Sequence, residues 1–156
     1  MGTDLFVSWL EALNTHDGDK LAALLSEDGI YEVVPTSSRF TKATAHLAVS
    51  SIHDLSSDFA VRLVSIMEEG DRYGVEWEVV GTNDGPIPLL GLPASGRTFT
   101  IRAGAFGQIE GGRIKRHREY WDVAGLLAQL GIPPSPQVQF GLAAMAEQVS
   151  PTTDDE

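Results

Sequence analysis

The chain has 156 residues, a length that suits one domain built around one hydrophobic core. Its 22 acidic and 11 basic residues give a formal net charge of -11, which argues against binding to nucleic acid or to an anionic membrane surface. Cysteine is absent, which excludes disulfides and thiolate metal sites. The first residues lack the basic segment of a signal peptide and no apolar run has membrane-spanning length, so we expect a cytoplasmic protein.

The first half of the chain predicts three helices and one short strand. The segments DLFVSWLEALN and HDGDKLAALLSEDG repeat apolar residues at helical spacing, and Gly29 is expected to end the second helix. The segment IYEVV is β-branched and aromatic and is followed by proline, as expected of a short strand. A third helix is expected from residue 41 to about residue 55, with Leu47, Ile52 and Leu55 facing inward.

The second half predicts four long strands arranged as two hairpins. Apolar residues alternate in DFAVRLVSIM and RYGVEWEVVG, and the first of these strands has one face formed by Phe59, Val61, Leu63 and Met67. The segments RTFTIRAGAFGQIE and RIKRHREYW form the second hairpin, with GG at its turn. The stretch TNDGPIPLLGLPASG between the hairpins predicts a long loop, a kind of segment that often carries function.

One short helix is expected to follow the last strand. In DVAGLLAQLG, Asp122 is a candidate N-cap and Gly131 a candidate C-terminal stop. A further helix is predicted in VQFGLAAMAEQV, before an acidic tail. We therefore predict a single domain over residues 1–133 and an extension over residues 134–156. Since the early helices must cover one face of the hairpin sheet, the fold class is α+β, with a curved antiparallel sheet and a concave apolar pocket.

The strand RIKRHREYW carries the main candidate for chemistry. Side chains alternate along a strand, so His117, Glu119 and Trp121 share the face with fewer charges, which favours the pocket side. Desolvation there would raise the pKa of Glu119 from ~4.3 toward neutrality, as a general base at pH 7 requires. Two interpretations remain open for each residue. Glu119 is a pocket base or a solvated acid paired with arginine, and His117 is a catalytic partner or a half-buried structural residue.

Two charged residues near this strand have competing interpretations. Arg102 interrupts the small and apolar residues of the preceding strand, where it either points into the cavity and binds substrate or pairs across the sheet with Glu76 or Glu78. We favour the cross-strand pair. Asp122 is a second carboxylate close to the candidate site, but capping of the following helix takes precedence, because a side-chain cap contributes about 1 kcal/mol.

Three aromatic residues and one amide complete the set of candidate substrate-binding residues. Trp9, Tyr31 and Trp77 belong to the core or line the pocket, and Tyr31 would be able to donate a hydrogen bond into it. Asn83 lies in the long loop, where its amide either orients a polar substrate or forms part of a turn.

No metal or cofactor site is predicted. His46 and His53 are seven residues apart, which corresponds to about 10.5 Å along a helix axis and is too far for two ligands of one metal ion. The glycines fall in turns rather than in a phosphate-binding loop, and there is no G-x-S-x-G nucleophile motif. These patterns favour a cofactor-independent protein.

Five motifs between Gly81 and Gly131 resemble those of a known family. The motifs are GTNDG, GLPASGR, EGGRI, HREYWD and LLAQLG, in this order. With them the chain resembles the SnoaL-like polyketide cyclases of the NTF2-like superfamily, which also contains the ketosteroid isomerases and limonene epoxide hydrolase. The resemblance implies a cone-shaped α+β fold in which N-terminal helices wrap a curved antiparallel sheet.

The resemblance also implies roles for individual residues. The catalytic acid/base of the family is the first acid of an H-R-D motif on the last long strand, and the matching residue here is Glu119. Ala105 stands at the position of the family's assisting histidine, and Asn83 stands where the loop motif often has histidine. Many members of the superfamily form homodimers through the outer face of the sheet, which we therefore expect here.

These observations predict an enzyme that acts on an apolar, oxygenated small molecule. Glu119 would move a proton beside a carbonyl during cyclisation, isomerisation or dehydration. The developing oxyanion would be stabilised by one of His117, Arg102, Tyr31 or Asn83. Two alternatives remain open. One is epoxide hydrolysis, for which the sequence offers no convincing second acid. The other is a non-catalytic ligand-binding or dimerisation module, which a cavity filled by side chains would favour.

Overall fold

The computed structural model describes residues 2–87 and 91–133. Within these ranges the helices and strands, in chain order, are α1 Gly2–Asn14, α2 Gly18–Leu24, β1 Leu25–Val33, β2 Ser38–Thr41, α3 Ala45–Leu55, β3 Ala60–Glu69, β4 Arg72–Thr82, β5 Thr98–Glu110, β6 Arg113–Trp121 and α4 Val123–Gln129. The helix expected in the C-terminal extension lies outside the described residues. No helix of the described ranges is both long and apolar enough to cross a membrane.

The strands form one mixed sheet in the order β2-β1-β6-β5-β4-β3. The two predicted hairpins are present, and β3 to β6 pair antiparallel. The sheet is mostly antiparallel, as predicted, and the parallel pairing of β1 with β6 makes it mixed. The periodicity of a strand indicates which face is buried but says nothing about its partner, so this pairing was not visible in the sequence. The predicted α+β class is confirmed.

The boundary between α2 and β1 lies earlier than predicted. The strand begins at Leu25, and Gly29 lies within it instead of ending the helix. The pairing of β1 with β6 shifts register between Leu25 and Ile30. A Cβ at Gly29 would lie 2.8 Å from the carbonyl oxygen of Ile114. The absence of a side chain at Gly29 therefore allows the two backbones to approach closely in this irregular section of the strand.

Helix α3 also differs from its prediction. Thr41, the expected first residue, ends the short strand β2, and residues 42–44 form a turn, so the helix begins only at Ala45. Its buried face is formed by Ala45, Ala48 and Val49. Leu47 was expected to face inward, but it is 37% exposed. Ile52 and Leu55, the other two residues expected to face inward, are partly buried against the core clusters.

A β-bulge reverses the side-chain alternation of β3. The pairing with β4 shifts register between Leu63 and Ser65. Before the bulge Val61 is buried, as predicted, while after it Met67 is 74% exposed. An inserted residue moves every later side chain to the opposite face, so Met67 lies on the outer surface rather than beside Val61.

The helices cover the inner face of the sheet, and the space between them is only partly filled. One core cluster joins α1, α2 and α3 to this face and contains Phe6 and Trp9, both fully buried. A smaller cluster joins α4 to β5 through Phe99, Leu126 and Leu130. The candidate site lies in the cavity that residues of both clusters line.

Candidate active site

A cavity of about 400 Å³ lies between the inner face of the sheet, α3 and α4. Its wall is largely apolar, and Phe40, Trp77, Phe99 and Trp121 supply aromatic rings. The polar side chains in the described wall are those of Tyr31, Thr36, Ser38, Ser51, Asp54 and Glu119. An enclosed, mainly apolar space with a few polar groups is the usual form of a small-molecule site.

Glu119 lies in the wall of this cavity and is only 9% exposed. It points inward because side chains alternate along β6, so that His117 and Glu119 are both buried. Its neighbours on the adjacent strands are Val33 on β1 and Ala105 on β5. Both neighbours are small or aliphatic and neither carries a charge, so the carboxyl group is surrounded by apolar groups on both sides.

Tyr31 is the hydrogen-bond partner of Glu119. Its hydroxyl donates to Oε2 of Glu119 over 2.7 Å, and both side chains are buried. The contact depends on the parallel pairing of β1 with β6, in which Tyr31 lies beside His117 and Val33 beside Glu119. From this position the long tyrosine side chain reaches the carboxylate two residues further along the neighbouring strand.

The environment shifts the pKa of both groups. Burial raises the pKa of Glu119 to about 7, and side-chain hydrogen bonds from Tyr31 and Trp121 oppose this shift. Burial, together with the charge of Glu119, raises the pKa of Tyr31 well above its ordinary value. Near neutral pH the carboxyl group therefore exchanges between its protonated and ionised forms, while the phenol remains a neutral donor.

His117 is fully buried behind the cavity and is not part of its described wall. Its Nδ1 shares a hydrogen bond of 2.8 Å with the hydroxyl of Tyr73, and its ring stacks on Trp9 at a centroid distance of 4.5 Å. Burial lowers the pKa of His117 to about 3, so the imidazole is neutral. The structure does not place this histidine for direct contact with a ligand, contrary to the catalytic interpretation.

The hydrogen bond between Tyr73 and His117 passes over Gly107. The three residues lie side by side on β4, β5 and β6. A Cβ at Gly107 would collide with the ring and hydroxyl of Tyr73. The glycine thus leaves the space in which the tyrosine ring crosses the middle strand. From the sequence, neither Gly107 nor Tyr73 was predicted to have a role near the site.

The three tryptophans occupy different positions around the site. Trp77 and Trp121 line the cavity directly. Trp9 is fully buried and lies outside the described wall, where its ring meets the ring of Tyr31 edge to face at 4.8 Å. Trp9 therefore supports the position of Tyr31 rather than contacting a ligand.

Arg102 lies on the opposite face of the sheet from the cavity. Its side chain is 60% exposed and pairs with Glu76 at 3.1 Å and with Glu78 at 3.5 Å. The cross-strand alternative was therefore correct, and a place in the cavity was wrong. Arg102 shares this outer face with Phe106, as the alternation along β5 requires.

The amide of Asn83 is used in hydrogen bonds to its own loop and to the end of α3. Its Nδ2 donates to the carbonyl oxygens of Leu55 and Gly85, and its Oδ1 accepts from the backbone N–H of Ser95. The residue is 1% exposed and is absent from the described cavity wall, so the interpretation as a loop residue is favoured. Asp122 caps α4 as predicted, by accepting from the backbone N–H of Gly125 at 2.8 Å.

A family model described as SnoaL-like polyketide cyclase matches residues 4–130, which is most of the chain. The chain belongs to the SnoaL-like polyketide cyclase family. No functionally curated protein matches it.

Solved structures resemble this SnoaL-like protein over most of its length. A candidate polyketide cyclase from Xanthomonas campestris pv. campestris is 27% identical, with a TM-score of 0.72 and coverage of 82% of this chain and 95% of the other. TsrD from Streptomyces laurentii is 26% identical, with a TM-score of 0.74 and coverage of 85% and 96%. A protein of ketosteroid isomerase-like fold from Catenulispora acidiphila DSM 44928, solved with trimethylamine, is 18% identical, with a TM-score of 0.73 and coverage of 85% and 98%. The last similarity concerns the fold alone.

The SnoaL-like site contains a second acid that sequence reasoning missed. Asp54, in the last turn of α3, forms part of the cavity wall. Its position in the wall follows from the packing of α3 over the sheet, which the residue pattern of the helix alone does not indicate. No group of three or more His, Asp or Glu residues in the described parts of the chain has the geometry of a metal site.

Proposed function

We propose that this SnoaL-like protein is a cofactor-independent acid/base enzyme that acts on an apolar small molecule containing a carbonyl group. The observation that supports this most directly is the carboxyl group of Glu119, which is buried in an apolar cavity with a pKa of about 7. A carboxyl group with this pKa accepts and returns protons efficiently near neutral pH.

In the proposed reaction the carboxylate of Glu119 removes a proton from the carbon beside the substrate carbonyl. The C–H electron pair then moves toward the carbonyl oxygen and gives an enolate. Attack of the enolate carbon on a second carbonyl closes a ring, and the proton held by Glu119 goes to the new alkoxide. Return of the proton to another carbon would instead give an isomer. Tyr31, which donates to Glu119, keeps the carboxylate in position during these transfers.

Two alternative functions have less support. Epoxide hydrolysis would need a second acid and an arginine beside Glu119. Asp54 supplies an acid in the wall, but Arg102 is on the other face and the described wall contains no arginine. A non-catalytic module was favoured only if side chains filled the concave face, whereas a cavity of about 400 Å³ is present.

Proton exchange in D₂O tests the proposal without knowledge of the natural substrate. We expect the protein to accelerate deuterium incorporation beside the carbonyl of a bicyclic ketone such as 2-tetralone, measured by ¹H NMR. Glu119→Gln should lower this rate at least about a hundredfold, because general acid–base catalysis commonly contributes that much. The control Glu76→Gln removes a carboxylate from the outer face and should keep the wild-type rate. Equal rates for Glu119→Gln and wild type would contradict the assignment.

We also propose that two copies of the chain associate through the outer face of the sheet. This face carries exposed apolar side chains, including Met67 at 74% and Phe106 at 67% exposure. The rings of Phe106 and Tyr120 are 6.4 Å apart, and Met67 and Phe106 both lie close to Gly74. Together these residues form a continuous apolar strip, which is a common property of subunit interfaces.

A further inference from the structure

The charges in the cavity wall are all of one sign. Among the described wall residues, two carry carboxyl groups, Asp54 and Glu119, and none is lysine, arginine or histidine. A ligand bound here meets no cation that would compensate a negative charge. This distribution is independent of the roles that the wall residues have in catalysis.

Two arginines of the neighbouring strands form ion pairs and lie outside the described wall of the cavity. Arg102 on β5 pairs with glutamates of β4, and Arg118 on β6 pairs with Glu32 of β1 at 2.9 Å. Residues 88–90 and 134–156 contain no lysine, arginine or histidine in their sequences. Neither of these segments is therefore able to contribute a basic side chain to the cavity.

Asp54 lies at the opening of the cavity. It is exposed and belongs to the wall, whereas Glu119 is buried, so the two acids occupy different depths. The loop at Gly85 packs directly on the backbone carbonyl of Asp54 and donates its N–H to Leu55, which fixes the end of α3 beside the exposed Pro86 of the wall. Within the described residues the carboxylate of Asp54 has no hydrogen-bond or ion-pair partner. Its charge therefore faces an approaching ligand without internal compensation.

We propose that this cavity selects its ligands by charge, so that it accepts uncharged molecules and rejects anions, with Asp54 as the selecting residue at the opening and Glu119 inside. The inference deepens the proposed function and rests on the same cavity being the substrate site. The substrate class is then an oxygenated apolar molecule without a free carboxylate, phosphate or sulfonate. The physical reason is that an anion would lose its hydration in a largely apolar space where the two acidic side chains repel it and no described basic side chain compensates its charge.

A matched pair of ligands separates charge from shape. N-phenyl-1-naphthylamine is uncharged, and 8-anilinonaphthalene-1-sulfonate has the same ring system with one sulfonate. Equilibrium dialysis at pH 8, with both compounds quantified by chromatography, gives the Kd of the neutral compound and the concentration of the anion that displaces it. We expect displacement to require at least about ten times the Kd of the neutral compound, which corresponds to about 1.4 kcal/mol.

Substitutions then distinguish charge from the bulk of the sulfonate. Asp54→Asn and the double variant Asp54→Asn/Glu119→Gln keep the shape of the wall and remove one and both of its negative charges. The difference in affinity between the two compounds should therefore decrease in the single variant and decrease further in the double variant. The control Glu69→Gln, an exposed residue at the end of β3 outside the wall, removes one charge elsewhere and should leave the difference unchanged.

Three outcomes would overturn the proposal. The first is that the wild-type protein binds the anion as tightly as the neutral compound or more tightly. The second is that the difference in affinity between the two compounds persists in the double variant. The third is that the neutral compound does not bind. These binding measurements require no turnover. A charge-selective cavity in a protein that exchanges no protons would refute the proposed function and leave this inference intact. Proton exchange by a protein whose cavity does not discriminate by charge would refute this inference and leave the proposed function intact.

Discussion

The hydroxyl of Tyr31 donates a hydrogen bond of 2.7 Å to the carboxylate of Glu119, which lies 88 residues later in the chain. The two side chains meet because β1, which begins the sheet in chain order, returns beside β6, which ends it. Burial raises the pKa of the carboxyl group and the phenol partly restores it. The pKa of Glu119 thus reflects burial, which raises it, and hydrogen bonding by Tyr31 and Trp121, which lowers it, and substitution of Tyr31 isolates one of these contributions.

Tyr31→Phe should raise the pKa of Glu119 above its wild-type value of about 7. The substitution keeps the ring and removes the donor that stabilises the ionised carboxylate. A ¹³C NMR titration of glutamate side-chain carboxyl carbons measures the midpoint, and the resonance is assigned by its loss in Glu119→Gln. Tyr120→Phe, on the outer face, is the control and should leave the midpoint unchanged. A midpoint that stays constant or falls in Tyr31→Phe would show that the hydrogen bond does not tune this group.

Glu119→Gln should stabilise the fold at pH 8 but not at pH 4. The pKa of this carboxyl group is raised from 4.5 to about 7 on folding, so the unfolded chain loses its proton first as the pH rises. As the pH rises from 4.5 to about 7, the free energy of unfolding of the wild-type protein therefore decreases by about 3 kcal/mol. Glutamine carries no such penalty and still accepts the hydrogen bond from Tyr31.

Urea unfolding of both proteins between pH 4 and pH 9 measures this effect. Glu76→Gln removes the same charge from the outer face and provides the control for net charge. The buried His117 contributes equally to both proteins, so it cancels in the difference. A difference between wild type and Glu119→Gln that is flat across this range would mean that the carboxyl group is not desolvated.

Gly107→Ala should destabilise the protein by about 1–3 kcal/mol, the usual cost of adding volume to a packed interior. The new methyl group would collide with the ring of Tyr73 and displace its hydroxyl from His117. Gly104→Ala, on the same strand, is the matched control, because a Cβ there meets only the carbonyl oxygen of Val75, at 3.5 Å.

Urea unfolding of both alanine variants, together with the ¹⁵N shifts of the His117 ring, tests this prediction. Gly104→Ala should be neutral or stabilising, and only Gly107→Ala should change the ring shifts. If the two variants have the same stability and the same imidazole spectrum, then Gly107 does not hold open the space for Tyr73.

Phe106→Ser should shift the protein toward monomer if the outer face of the sheet joins two copies. The side chain is 67% exposed in one chain and lies at the middle of the apolar strip, so its removal would weaken the contact on both subunits of a symmetric pair. Sedimentation velocity over a range of concentrations measures the change. Val7→Ser alters an exposed apolar residue of α1 and should have no effect. A wild-type protein that is monomeric throughout would contradict the proposed association.

The alternation of side chains along the strands of the second half was sufficient to predict that Glu119 points inward. Alternation is a local property, and nothing interrupts it between His117 and Trp121, so each side chain lies on the expected face. The same rule placed Arg102 outside, beside the glutamates of β4. Asp122 was predictable for a similar reason, since a cap is defined by the few residues that follow it.

The remaining features depend on contacts between distant segments, which a periodic pattern does not encode. The parallel pairing of β1 with β6 determines the partner of Glu119, and no residue of either strand indicates that choice. A single bulge was enough to move Met67 to the outer surface. The burial of His117 behind the cavity results from packing against Trp9 on α1, which its position on β6 alone did not reveal.

The inner face of β5 presents Ala103, Ala105 and Gly107 in succession, each between larger residues of β4 and β6. The larger side chains of β4 and β6 thus flank a row of small side chains on β5. Of these three small residues, Ala103 belongs to the described cavity wall, between Trp77 and Trp121. A larger residue at position 103 would reduce the depth of the binding space without disturbing a helix or a strand end, so ligand preference among related chains should vary with the size of the residue at this position.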